Sequence, residues 1–106
     1  MMRVLLNVPK TVKRGEPIEV KILISHPMES GQRRDEMGAV VPRMVINDFR
    51  CIYNGVDVVR LALFPAIAAN PFLAFSARAD ASGDLVFSWQ DDSGASQTET
   101  ARVEVV

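Results

Sequence analysis

Residues 18–24 read Ile-Glu-Val-Lys-Ile-Leu-Ile, and this stretch decides the fold. Every second residue in it is a branched apolar one: Ile18, Val20, Ile22 and Ile24. A period of two puts these four side chains on one face of an extended strand, while Glu19 and Lys21 fall on the other. The stretch therefore predicts a β-strand with one buried face.

The same alternation recurs downstream, at residues 49–53, 73–79, 85–89 and 101–105. Asn54-Gly55 is the strongest hairpin signal in the chain, since both residues tolerate positive φ, and it predicts a return strand over residues 56–64. Turn-forming residues stand at 82–84 and 91–94, and residues 3–8 add a short first strand. About seven strands without helical periodicity predict one all-β domain over residues 1–106, an immunoglobulin-like antiparallel β-sandwich.

Composition excludes several classes of function. Twelve Lys and Arg against 13 Asp and Glu leave a formal charge of −1, which argues against nucleic-acid binding. One Cys and one His exclude an intrachain disulfide framework and any multi-cysteine metal site. No phosphate-binding glycine loop or nucleophile motif is present, so we predict no catalytic, cofactor or metal residues.

No stretch of the sequence has the pattern of a secretory signal or of a membrane-spanning helix. The most apolar segment, residues 58–75, is interrupted by Arg60, Pro65, Asn70 and Pro71. Taken alone, the residues predict a soluble cytoplasmic protein without membrane contact.

Two segments do not fit a plain sandwich. Residues 25–43 form an irregular connection longer than most loops, which is typical of a functional segment. Residues 56–64 are apolar on both faces, whereas one face of a sandwich strand should be polar. We therefore predict that another chain covers this strand and the loop after it, through Val56, Val58, Ala62, Phe64, Pro65, Asn70 and Pro71.

Three other features each carry a structural and a functional interpretation. Cys51 is a small buried hydrophobe or, alternatively, a reactive thiol. His26 is a loop or capping residue, although the nearby methionines also make a soft-metal site conceivable. Arg33-Arg34, followed by Asp35-Glu36, is a solvated charge run or, together with Arg43, a docking edge for another protein.

Several segments resemble the SoxZ family, the small subunits of the SoxYZ carrier of the bacterial sulfur-oxidising system. The residues that carry the resemblance are Ile24-Ser25-His26-Pro27-Met28-Glu29, Gly31, Arg33-Arg34, Pro42-Arg43, Phe49, Cys51, Tyr53-Asn54-Gly55, Pro65, Ala68-Ala69-Asn70-Pro71-Phe72, Trp89, Asp91-Asp92, Gly94 and Thr98-Glu99-Thr100-Ala101. The likeness extends from about Pro9 to the end of the chain.

The resemblance implies a non-catalytic scaffold subunit that pairs with a SoxY-like chain. SoxY carries sulfur intermediates on the cysteine of a C-terminal Gly-Gly-Cys-Gly-Gly arm, which this chain lacks, so Cys51 is not expected to be the carrier. The resemblance also implies a periplasmic location, reached by export together with a signal-bearing partner. It further suggests that the loop with His26, Arg33, Arg34 and Arg43 docks other Sox enzymes transiently.

Three alternatives remain open at the level of sequence. A free-standing adhesion, chaperone or metal-binding β-sandwich would need no SoxY-like partner. An enzyme would need a clustered carboxylate or His–Cys site. The exposed apolar strand also leaves open a homo-oligomer of the isolated chain.

Overall fold

A computed structural model of the protein describes residues 3–61 and 69–106. Its strands are β1 (Val4–Asn7), β2 (Thr11–Val12), β3 (Pro17–Ile24), β4 (Ile46–Tyr53), β5 (Val56–Leu61), β6 (Phe72–Arg78), β7 (Gly83–Asp91) and β8 (Ser96–Val105). In this part of the chain no helix occurs that is long and apolar enough to cross a membrane.

The strands form two sheets that pack into a β-sandwich. One sheet has three strands in the order β1-β3-β6, and the other has five in the order β2-β8-β7-β4-β5. The predicted all-β architecture is confirmed. The two-residue strand β2, which pairs in parallel with β8, was not predicted because two residues are too few to show a period.

The core lies between the two sheets and consists of the faces that the alternation predicted. Ile18, Ile22 and Ile24 are fully buried, as are Phe49 and Phe87 of the facing sheet. Rings link the layers, because Phe75 of β6 contacts both Phe49 and Phe87 at centroid distances of 6.3 and 6.4 Å. Each such side chain contributes about 1.5–3 kcal/mol through removal from water.

The Asn54-Gly55 hairpin forms as predicted and sets the start of β5. Both residues have positive φ, 49° and 80°, which matches the twist of the flanking strands. The Asn54 side chain lies against Gly83, where an added Cβ would come within 1.7 Å of the Asn54 Oδ1 atom. The Tyr53 hydroxyl donates to the Ala81 carbonyl, which ties this end of β4 to the chain before β7.

A β-bulge in β5 changes the faces that the sequence predicted for this strand. Cys51 pairs with Val59 and Ile52 pairs with Asp57, so Val58 is the extra residue. Directly paired residues share a face. Val56 therefore shares the inner face with Val59 and Leu61, whereas strict alternation had placed Val56 opposite them.

Candidate functional site

The inner face of β5 is only partly covered. Val56 and Leu61 are 67% and 39% exposed, whereas Val58 and Val59 are half-buried and pack on the core. The reason is the unequal width of the sheets within the described residues, where β5 is the last strand of the five-stranded sheet and the opposing sheet has three strands. Three further residues predicted for this interface, Ala62, Phe64 and Pro65, lie outside the described residues.

The outer face of β5 is polar and its charges are paired within the chain. Arg50 Nε lies 2.8 Å from Asp57 Oδ1, and Arg60 Nε lies 3.6 Å from Asp48 Oδ1. The outer face is therefore not the uncovered apolar surface that the sequence suggested. The apolar residues that a partner could cover lie on the inner face of β5. A partner could also cover the open side of the sandwich, where a cavity of about 370 Å³ lies between β5 and β6.

Asn70 and Pro71 have structural roles beside their predicted place in the interface. Asn70 has a φ of 54°, and its backbone N–H donates to the His26 carbonyl at 2.7 Å. Its Oδ1 accepts from the His26 backbone N–H at 3.0 Å, so two hydrogen bonds join Asn70 to His26. Pro71 is buried and its carbonyl accepts from Ile24 N–H. Of this pair, only Asn70 is exposed to a partner.

His26 is inside the protein rather than on a docking surface. Only 4% of it is exposed. Its Nδ1 accepts the Met28 backbone N–H at 3.0 Å, which leaves Nε2–H to donate to Asp91 Oδ2 at 3.3 Å. His26 was predicted as part of the docking loop, but its ring is not available for such a contact, because it is buried and both ring nitrogens have intrachain partners.

The turn after β7 supplies the acidic partners at this end of the sandwich. Burial pushes the pKa of Asp91 upward, but hydrogen bonds from Ser93 and His26 outweigh it and lower that pKa below its usual range. Asp92 accepts from the Asn47 side chain, the Val45 N–H and Arg43 Nε, and these contacts also lower its pKa. Turn chemistry alone had explained both aspartates, so their long-range role was missed.

The long connection between β3 and β4 is an irregular hairpin held by its own side chains. Isolated bridges join Glu29 to Met44 and Arg34 to Val40. The Arg33 guanidinium contacts Glu29 at 2.7 Å, and Arg34 Nη1 donates to the Gly38 carbonyl at 2.8 Å. The arginines predicted to dock enzymes are thus exposed. Arg33 is partly neutralised by Glu29, as Arg43 is by Asp92 at 2.9 Å, whereas the partner of Arg34 is a neutral carbonyl.

No metal centre is assembled from the described residues. Nowhere in residues 3–61 and 69–106 do three or more His, Cys, Asp or Glu side chains group as ligands. His26 and Asp91 line an open cavity of about 800 Å³ with Arg3, Ser25 and other residues, but they form only a pair.

Cys51 is unsuited to reaction in the native protein. Its side chain is fully buried on the inner face of β4, and burial raises its pKa to about 11. Because the thiolate is the reactive form, we expect a native-state disulfide-exchange reagent to modify Cys51 at least about a hundredfold more slowly than in the urea-unfolded chain. Thiol titration over time checks this, and equal rates in the two states would contradict the burial.

Comparison with known families identifies the family to which the chain belongs. The family described as "Sulphur oxidation protein SoxZ" matches residues 6–102. A search of curated proteins found no match.

Solved structures share the fold. A superoxide reductase (neelaredoxin) from Ignicoccus hospitalis is 18% identical, with a TM-score of 0.75 over 97% of this chain and 79% of that one. The sulfur carrier protein SoxY from Chlorobium limicola f thiosulfatophilum is 15% identical, with a TM-score of 0.67 over 97% of this chain and 78% of that one. At these identities the likeness establishes the fold alone.

Proposed function

Because the chain belongs to the SoxZ family of sulphur oxidation proteins, we propose that it is the non-catalytic scaffold subunit of a heterodimeric sulfur carrier. In this proposal a SoxY-like chain holds the sulfur intermediates of thiosulfate oxidation on its own cysteine. The present chain supports that subunit and presents it to enzymes of the pathway.

The burial of Cys51 is the structural observation that supports the proposal most strongly. A carrier thiol must reach several enzymes in turn, and it must be ionised to accept cargo. Cys51 is the only cysteine of the sequence, and it is fully buried with a raised pKa. The cargo therefore needs a cysteine from another chain.

The uncovered inner face of β5 supports the second half of the proposal, a stable partner. Val56 and Leu61 offer apolar area on this strand, and Val56 also lines the open cavity toward β6. A stable heterodimer buries about 800 Å² on each side, more than these two side chains supply. We therefore place them, with Val58 and Asn70, inside a larger contact that includes the loop joining β5 to β6.

Co-expression with a SoxY-like chain tests the proposal. We expect a 1:1 complex by size exclusion and native mass spectrometry. After incubation with thiosulfate and the Sox enzymes that load the carrier, intact masses should show added sulfur on the partner and none on this chain. Absence of the complex, or an adduct on Cys51, would refute the scaffold role.

Location is a further part of the proposal. We propose that the chain reaches the periplasm folded and bound to a signal-bearing partner. In fractionated cells that express the pair, we expect both chains in the periplasm when the partner carries its export signal. When the signal is removed, we expect both chains in the cytoplasm. A chain that stays in the cytoplasm beside an exported partner would contradict this.

We also propose that the loop arginines dock the pathway's enzymes. Replacing both residues, Arg33→Gln with Arg34→Gln, should lower thiosulfate turnover about threefold to tenfold, because exposed charges mainly increase association rates. Glutamine avoids repulsion with Glu29, the ion-pair partner of Arg33. Heterodimer formation should not change. Lys10→Gln with Lys13→Gln, at two other exposed cations, is the matched control, and equal turnover in both double variants would exclude the loop.

A further inference from the structure

A row of apolar side chains, exposed at both ends and half-buried in the middle, crosses the outer face of the three-stranded sheet. Leu5 pairs with Leu23, and Leu23 pairs with Phe72, so the three residues share one face. Leu5 is 70% and Phe72 58% exposed. This row lies on the three-stranded sheet, whereas β5 belongs to the five-stranded one, and the sequence pattern does not reveal it.

The surroundings of the row are concave and positively charged. A cavity of about 480 Å³ lies on one side of Leu5 and Leu23 and is lined by Arg3, while a second of about 280 Å³ on the other side is lined by Lys21. No carboxylate lines either cavity among the described residues. Arg3 is also the one arginine among the described residues whose guanidinium forms no hydrogen bond or ion pair with another described residue.

Beside the row lies an open sheet edge. Among the described strands, β1 pairs only with β3. The Ser25 N–H donates to the Arg3 carbonyl at 2.8 Å, so the main chain of Arg3 faces β3. In an antiparallel ladder the N–H and C=O groups of successive residues point alternately toward the paired strand and away from it. The main-chain groups of Val4 and Leu6 therefore point to the open edge.

We propose that this edge binds an extended segment of another protein as an added strand next to β1. An added strand would place one side chain on the outer face beside Leu5, where an apolar residue extends the row. The residue two positions away would face Arg3, and a carboxylate there pairs with the free guanidinium. The recognised segment therefore contains an acidic residue and an apolar residue with one residue between them.

A second copy of this chain is a poorer occupant. If two β1 strands paired about Leu5, the residue facing Arg3 would be Asn7 of the other copy, because the pairing is antiparallel and centred on Leu5. That arrangement leaves the guanidinium without an anion. An acidic partner supplies the charge that the site lacks.

Peptide binding to the full chain tests the proposal. The probe is acetyl-Thr-Glu-Thr-Leu-Thr-Glu-Thr-amide, which has glutamate on both sides of leucine and so fits either strand direction. At up to about 2 mM peptide, we expect amide shifts in ¹⁵N spectra at Val4 and Leu6 and none at Val58 or Val59. A peptide with lysine in place of glutamate should bind about tenfold more weakly.

Two variants make the test specific. Arg3→Glu should reverse the preference between the glutamate and lysine peptides. Leu5→Thr should weaken binding of the glutamate peptide about fivefold, whereas the control Val40→Thr, at an exposed loop position, should not. Neither Arg3→Glu nor Leu5→Thr should affect the complex with the SoxY-like chain, so this inference and the scaffold proposal can fail separately.

Three results would overturn the inference. They are the absence of shifts at β1 at the highest peptide concentration, an unchanged charge preference in Arg3→Glu, and concentration-dependent dimers of the free chain that Leu5→Thr abolishes.

Discussion

Replacing Leu61 by aspartate should weaken the complex with the SoxY-like chain at least a hundredfold. The substitution removes apolar contact and buries a carboxylate without a partner, which together cost about 3 kcal/mol or more. Val56→Asp should act in the same direction, since both residues share the inner face of β5. Isothermal titration or pull-down with the purified partner measures the loss.

The exposure of these residues makes the experiment interpretable. Val56 is 67% exposed in the free chain, so aspartate there should leave its thermal midpoint nearly unchanged, whereas aspartate at Leu61, which is 39% exposed, should lower the midpoint less than a change at a fully buried position. Val58 is a poorer choice, because it packs on the core and its loss would mix folding with binding. Val40→Asp, at a 50% exposed loop residue, is the matched control. Wild-type affinity in both β5 variants would remove this face from the interface.

Replacing His26 by alanine should lower the free energy of unfolding by about 3 kcal/mol. The change leaves Asp91, which is 8% exposed, without its imidazole partner and leaves the Met28 N–H without its acceptor. Unsatisfied buried groups cost about 1–3 kcal/mol each, and more when charged. In a domain of this size the thermal midpoint should fall by on the order of 10 °C, measurable by circular dichroism at pH 7.

Two conservative variants separate the contacts of His26. Asparagine can place an oxygen where Nδ1 accepts from Met28, and glutamine can place an N–H where Nε2 donates to Asp91. Each should recover part of the loss. His26→Ala combined with Asp91→Ala should cost less than the sum of the single changes, because the two residues are in contact. Strict additivity would show that the pair does not contribute as a unit.

The strands were predictable because the alternation of apolar and polar residues within each strand indicates which of its faces is buried. In β3, β4 and β7 the apolar residues at alternate positions are those with the lowest exposure, such as Ile22, Phe49 and Phe87. Likewise, Asn54-Gly55 predicted the hairpin, since positive φ is a local property of those residues. The resemblance to SoxZ proteins was likewise confirmed over residues 6–102.

The candidate sites were less predictable because they depend on contacts between distant segments. His26 was assigned to a docking loop, but it forms hydrogen bonds with Asn70, 44 positions away, and with Asp91, 65 positions away. Because of the bulge at Val58, Val56 lies on the inner face of β5. Strict alternation of side chains along a strand cannot predict a bulge. Leu5 and Phe72 were not connected at all, since only the register of three strands brings them into one row.

The sequence by itself determined the all-β class, most of the strands with their buried faces, and a cysteine placed within the core. These are local consequences of alternation and turn chemistry, and they act over a few residues. Tertiary structure alone decided which apolar residues stay exposed and which polar ones are buried. Both depend on sheet width, register and strand order, because a side chain is covered only where another part of the chain passes over it.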